Sequence, residues 1–143
     1  VSACHAGWRG VASRILPGAV SRLEALGARR DRLLVAMGPA VSGELYQVEE
    51  TVAEKIGASL GSRQASFQVL EQSGIIREDP EDGRCRLDIR KAAFSQLVDC
   101  GLQADKFSLC PLCTVSEADL FHSWRRDQVK AVQWSGIVAQ AAA

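Results

Sequence analysis

The sequence predicts a mixed α+β fold, with β-sheet layers packed against helices in a single domain. Three observations predict it. The chain has 143 residues, about one domain by the usual length prior, and its 47% hydrophobic content is enough for a real core. Apolar runs of strand length alternate early with segments of helical period. Strand-like segments then dominate late, a distribution typical of segregated α+β layers rather than of a regular βαβ repeat.

Taken in order, Val1 to Cys4 reads as a buried strand. Val11 to Leu26 carries apolar residues at Val11, Ile15, Ala19, Leu23 and Leu26, which is helical spacing. Pro17 kinks this helix or splits it, and Gly27 ends it as a C-cap. Arg29 to Arg32 form an exposed charged turn. Leu33 to Met37 is a second buried strand, closed by Gly38-Pro39. Leu45 to Leu60 reads as a helix with Leu45, Val48, Val52 and Ile56 on one face. Gly61 to Gly83 is the least regular stretch, with room for a short strand or helix around Phe67 to Leu70. Its acidic run Glu78 to Gly83 is a turn, read as a solvated hairpin tip rather than a metal site.

Cys85 to Ile89 leads into a helix from Asp88 or Ile89 to about Cys100, with Gly101 as its stop. Phe107 to Leu109 looks like a short strand. Ser116-Glu117-Ala118-Asp119 has the shape of a capping box, so a short helix is expected there. Ser123 to Arg126 and Val129 to Val138 read as a closing pair of strands around an Asp127-Gln128 turn, and Ala141 to Ala143 as a frayed end.

Charge and composition exclude several function classes. Seventeen basic residues offset 17 acidic ones, so no global field favours nucleic acid or an anionic membrane. The longest apolar runs are far too short to span a bilayer, and no secretory leader is visible. Five cysteines at uneven spacing argue against a disulfide framework. They point to reduced thiols in a cytoplasmic compartment. The chain opens without Met and is read as lacking an N-terminal segment.

The densest chemistry lies in His5-Ala6-Gly7-Trp8-Arg9-Gly10. A possible metal ligand, a fixed cation and a glycine-rich turn sit where a strand is expected to run into a helix, and ligands often bind at such strand ends. Cys4 does not share a metal with His5 while both lie on a strand, because neighbours point to opposite faces. Cys110-Pro111-Leu112-Cys113 is a CxxC without the second pair a structural zinc site needs and without a thioredoxin-like context, so its role is structural or incidental. His122 sits among alternating aromatics and shares in their packing. Of Arg125 and Arg126, one could turn inward as an anion clamp, since arginine matches phosphate geometry. There is no GxGxxG, Walker A loop, GxSxG elbow or HExxH.

On these residues the sequence resembles the multicopper polyphenol oxidoreductase family, the laccase-domain proteins. His5 to Gly10 is similar to the family signature. Met37-Gly38-Pro39-Ala40 and Tyr46-Gln47-Val48 resemble its Gly-Pro loop and the helix after it. Leu87-Asp88-Ile89-Arg90-Lys91-Ala92 resembles its strand-to-helix segment, and Cys113-Thr114 with Phe121 to Asp127 resembles its ending. Ser42-Gly43-Glu44-Leu45 stands where cysteines are frequent in the family, and His122 where a tyrosine or phenylalanine is usual. The resemblance spans nearly all 143 residues and implies that residues 1–143 are the C-terminal part of such a domain.

The resemblance implies a zinc-dependent purine nucleoside phosphorylase acting on adenosine, inosine and methylthioadenosine, with adenosine deaminase activity. His5 would be a catalytic zinc ligand. Family proteins bind one zinc through two histidines and a cysteine, and the other two ligands would come from the missing N-terminal segment. Arg9 would serve catalysis and phosphate or substrate binding, and one of Arg125 and Arg126 would complete the anion site. A single zinc with an open position for water suits deamination. Two other readings stay open: a non-catalytic fragment that depends on a partner chain, and a copper-dependent polyphenol oxidoreductase. Copper is possible, but two histidines are few for a protein that holds several coppers mostly through imidazoles.

Overall fold

The computed structural model describes residues 1–61 and 66–139. The expected frayed end at Ala141 to Ala143 lies outside them. Strand β1 (Val35–Met37) pairs in parallel with β5 (Phe107–Leu109), and a separate antiparallel sheet runs β2 (Gln47–Glu49), β4 (Arg84–Leu87), β3 (Ile76–Glu78). The helices are α1 (Trp8–Ala12), α2 (Ile15–Ala25), α3 (Glu50–Ser59), α4 (Phe67–Gln72), α5 (Ile89–Asp99) and α6 (Trp124–Asp127). The fold is thus mixed α+β, as expected. No helix of the described residues is long and apolar enough to cross a membrane.

Pro17 splits the first predicted helix. Its ring displaces the carbonyl four residues back, that of Ser13, and the chain breaks there, with Arg14 left-handed at φ 59°. Arg14 is anchored by its guanidinium, which donates to the Ser59 carbonyl at 2.5 Å. Pro17 itself falls in the first turn of α2, where its missing N–H costs nothing. Gly27 and Gly101 end α2 and α5 at φ 91° and 95°. Just past each, an N–H folds back on the last turn, Ala28 to Leu23 and Leu102 to Leu97.

The main core gathers Val11, Val48, Ile56, Leu60, Leu70, Ile76, Cys85 and Leu87 between the antiparallel sheet and helices α1, α3 and α5. Gln96 is 1% exposed and donates to the Val11 carbonyl at 2.9 Å and to Ser59 Oγ at 3.1 Å, which ties α5 to the ends of α1 and α3. Asp88 caps α5 by accepting from Lys91 N–H at 3.0 Å. Gly43 passes so close that a Cβ there would stand 2.9 Å from Asp88 Cβ.

Several expectations are corrected. Leu33 to Met37 is a strand only over Val35–Met37 and is not buried, with Leu34 77% exposed, because β1 has a partner on one edge alone among the described strands. Val1 to Cys4 is exposed and not a strand, because no described strand lies beside it to take its N–H and C=O groups. Of the predicted Leu45–Leu60 helix, only Glu50–Ser59 is helical. Val48 instead pairs with Cys85 in the sheet, a burial that its helix-like spacing also allowed. The capping-box segment at Ser116–Asp119 forms turns rather than a helix. Ser123 to Arg126 is not a strand but the cap and body of α6, with Ser123 Oγ accepting from Arg126 N–H. Val129 to Val138 likewise has no strand partner among the described residues and stays exposed. Around Phe67, where strand and helix were both possible, the chain forms α4, capped by Ser66 Oγ.

The hairpin tip between β3 and β4 is where the sequence placed it, but it is not wholly solvated. The Asp79 side chain is 1% exposed and ion-paired with Arg86. Gln47 Nε2 also donates to it at 2.9 Å.

Candidate active site

The two signature glycines are explained by His5. Gly7 is the N-cap of α1 at ordinary φ, and a Cβ there would sit 3.1 Å from His5 Nε2. A Cβ on Gly10 would stand 3.1 Å from the His5 carbonyl and 3.3 Å from Ile15 Cγ2. Both glycines therefore give room to the histidine that folds over the start of α1. His5 is exposed, with its imidazole beside the helix entrance.

Trp8 packs its ring against the core and carries two cations. Arg9 Cζ lies 4.6 Å from the ring centroid, and Lys55 Nζ of α3 lies 5.8 Å from it. The second aromatic is Tyr46, in the bend before β2. Its carbonyl accepts from Leu87 N–H at 3.0 Å, and its ring also packs on the core. Arg125 lies over that ring, with Cζ 5.1 Å from the centroid. Burial pushes the Tyr46 phenol above its ordinary value, against the pull of Arg125 and the smaller pull of Arg9. The phenol therefore stays protonated at neutral pH.

The structure separates the arginine pair. Arg126 is saturated by its own chain, donating to the carbonyls of Thr114 at 3.1 Å, Val115 at 2.9 Å and Phe121 at 3.0 Å and pairing with Asp127 at 2.7 Å. It pins the turns over 114–121 to α6, and takes up carbonyls beside the expected capping-box helix. Arg125 makes no ion pair among the described residues and meets Tyr46 instead. His122 Nδ1 lies 3.5 Å from Asp127 Oδ2. Its Nε2 is buried without a partner among the described residues, consistent with packing.

The CxxC loop is structural in its contacts. Arg90 donates to the carbonyls of Cys110 at 2.5 Å and Leu112 at 3.2 Å. Cys113 bridges to Ala40, and its sulfur accepts from Ser42 N–H at 3.2 Å. Burial raises the Cys113 thiol, but hydrogen bonds from Ser42 and Ser116 outweigh it and bring the pKa down to about 6. His5 can offer one imidazole to a metal. A zinc site needs three or four donors, and no cluster of three or more His, Cys, Asp or Glu side chains forms among the described residues. The residues present therefore fit part of such a site and not the whole.

In the sequence, Tyr46 stood out only within a family block, and Lys55 not at all. The signal for Tyr46 was present, a lone tyrosine between the Gly-Pro loop and a strand. No pattern in the sequence could pair it with Arg125, which depends on the tertiary fold.

The chain spans about half the length of the curated relatives it matches. It is 38% identical over 97% of its length to a purine nucleoside phosphorylase of Synechocystis, covering 56% of that protein. It is 31% identical over 88% of its length to an adenosine deaminase from an unknown prokaryotic organism, covering 45% of it. Its fold matches YlmD from Geobacillus stearothermophilus with a TM-score of 0.75 at 28% identity, over 87% of this chain and 43% of that one. Residues 1–140 match the family model described as multi-copper polyphenol oxidoreductase laccase. With the ordered signature blocks and this fold, the chain belongs to the multi-copper polyphenol oxidoreductase laccase family.

Proposed function

We propose that this chain forms the phosphate-binding side of a purine nucleoside phosphorylase with adenosine deaminase activity. One observation carries the reading: Arg9 and Arg125, from opposite ends of the sequence, each lie over an aromatic ring, with Cζ 4.6 Å from the Trp8 centroid and 5.1 Å from the Tyr46 centroid, and neither makes an ion pair among the described residues. Guanidiniums held on aromatic rings with no carboxylate partner suit a small dianion. Arginine offers paired N–H groups that match phosphate oxygens. The names of the relatives, purine nucleoside phosphorylase and adenosine deaminase, supply the substrate class.

In this reading Arg9 and Arg125 hold phosphate beneath the ribose. A phosphate oxygen attacks C1′ while the bond from C1′ to the purine nitrogen breaks, and the purine takes the electron pair and a proton. The cations lower the cost of bringing the dianion out of water and orient it for attack. His5 serves as one zinc ligand, with the remaining donors supplied by the extra length that the relatives carry. When bound, zinc supplies Lewis-acid activation of water, the chemistry deamination needs. No step of phosphorolysis is assigned to it.

The test is release of hypoxanthine from inosine by the full gene product, with and without inorganic phosphate, and of ammonia from adenosine. Phosphate-dependent release with formation of ribose 1-phosphate is the expected result. Release at the same rate without phosphate would rule out phosphorolysis. Oxidation of a phenol with copper bound would favour the polyphenol oxidoreductase reading instead.

A further inference from the structure

We propose that Tyr46 is the positioning residue of Arg125, holding the guanidinium by its ring face so that the cation stays uncompensated and its N–H donors stay available for an anion. The proposal rests on the phosphate-site reading above. Arg126, the next residue, provides the contrast. It is also held firmly, but by carbonyls and by Asp127 at 2.7 Å. Those partners consume its donors and offset its charge. A cation held that way has little left for a ligand.

Arg125 lies on α6 at the surface. An exposed arginine samples many rotamers, and fixing it costs side-chain entropy. A carboxylate would fix it at the expense of its charge. An aromatic face fixes it through the ring quadrupole and the edges of the guanidinium remain open. Tyr46 is suited to this because it is itself immobile: its backbone is bonded to β4 and its ring packs on the core. The same device recurs at the other cation, where Arg9 stacks on Trp8 at 4.6 Å. Arg9 too has no carboxylate partner among the described ion pairs. The two proposed phosphate ligands are therefore both held by aromatic rings, whereas Arg29, Arg30, Arg77, Arg84, Arg86 and Arg126 are held by carboxylates.

The experiment is steady-state phosphorolysis of inosine by the full gene product, with inorganic phosphate varied, for wild type, Tyr46→Phe, Tyr46→Leu, Arg125→Gln and the Tyr46→Leu, Arg125→Gln double variant. Tyr46→Leu should raise the phosphate KM about 5- to 10-fold with kcat at saturating phosphate within about twofold, the size of a lost cation–π contact. Tyr46→Phe keeps the ring and should stay within about twofold of wild type. The double variant should match Arg125→Gln alone, because the ring acts only through that arginine. Should Tyr46→Leu melt early, Tyr46→Met keeps the bulk without a π face and carries the same expectation. Equal losses in Tyr46→Phe and Tyr46→Leu, or losses that multiply in the double variant, would overturn the proposal. If the wild type shows no phosphorolysis, the function reading has failed. Calorimetric titration of the same proteins with inorganic phosphate then decides the positioning role: the same pattern in Kd upholds it, and no phosphate binding by the wild type overturns it.

Discussion

Leu87 and Leu34 are both leucines of apolar, strand-forming segments, yet the first is fully buried and the second is 77% exposed. They mark two sides of the molecule. On the antiparallel side, β4 has a partner on each edge and helices over its face, so Leu87, Cys85 and Ile56 are sealed. On the parallel side, β1 and β5 have only each other among the described strands. Leu34 and Leu109 remain open to solvent, and a shallow cleft lined by Val35, Phe107 and Ile137 lies beside them. Parallel sheets are ordinarily covered on both faces. Apolar sequence thus marks a segment for burial but does not by itself supply the surface that buries it.

The two sides should differ most in what a truncated side chain costs. In the 143-residue chain, Ile56→Ala should cost about 2–5 kcal/mol in urea unfolding, for a large-to-small change at a fully buried site. Leu34→Ala should fall within about 0.5 kcal/mol, as at ordinary surface positions. Equal costs would mean that the parallel side is covered in solution.

The adjacent arginines come next. Arg126→Ala should destabilise by about 1.5–3 kcal/mol, because the carbonyls of Thr114, Val115 and Phe121 lose a charged donor. Arg125→Ala should leave the melting temperature nearly unchanged. Reversal of that order would remove Arg125 from the ligand-facing cations.

Acid should weaken the antiparallel side. Burial pushes the Asp79 carboxyl up, but hydrogen bonds from Gln47, Glu81 N–H and Arg86 outweigh it and hold the carboxyl below its ordinary value of 3.8. A carboxyl lowered in the folded state adds stability that is complete above the ordinary value and is lost as pH falls through the folded one. Asp79→Asn should therefore flatten the fall in stability as pH drops below the ordinary carboxylate value. An unchanged acid limb would show that Asp79 does not carry it.

The cysteines divide between the same two sides, with an effect that is chemical and leaves stability almost untouched. Cys113, with its pKa near 6, should alkylate with a rate that rises through pH about 6 and then levels. Cys85, raised by burial to about 11, should stay unmodified across that range. Peptide mass spectrometry after pulsed labelling reads both. A Cys113 midpoint near the ordinary value of 9 would show that the Ser42 and Ser116 hydrogen bonds do not hold the thiolate.

What was legible in the sequence divides in the same way. Helices α2 and α5, with their glycine stops and the Asp88 cap, carry their signals locally, and so does the hairpin tip before β4. Strands require partners. Val1–Cys4 and Val129–Val138 had strand-like composition and no described strand beside them, so alternation misled. At Ser123 a local cap outweighed the period-2 pattern. In the candidate site, His5, Arg9 and the two glycines were readable because they lie within six consecutive positions. Tyr46 beside Arg125 was not, since that meeting is made by the path of the chain between β1 and α6. The choice between Arg125 and Arg126 was likewise open in the sequence, and only the carbonyls around Arg126 separate them.

The claim that Arg9 holds phosphate can be read from the phosphate dependence of inosine cleavage by the full gene product carrying Arg9→Lys, beside its melting curve. Lysine keeps the charge but loses the paired donors. The phosphate affinity should fall by roughly one to two orders of magnitude, as for losing a charged hydrogen bond of about 1.5–3 kcal/mol, with the melting temperature little changed. An unchanged phosphate dependence with a large drop in melting temperature would contradict this and assign Arg9 to the fold.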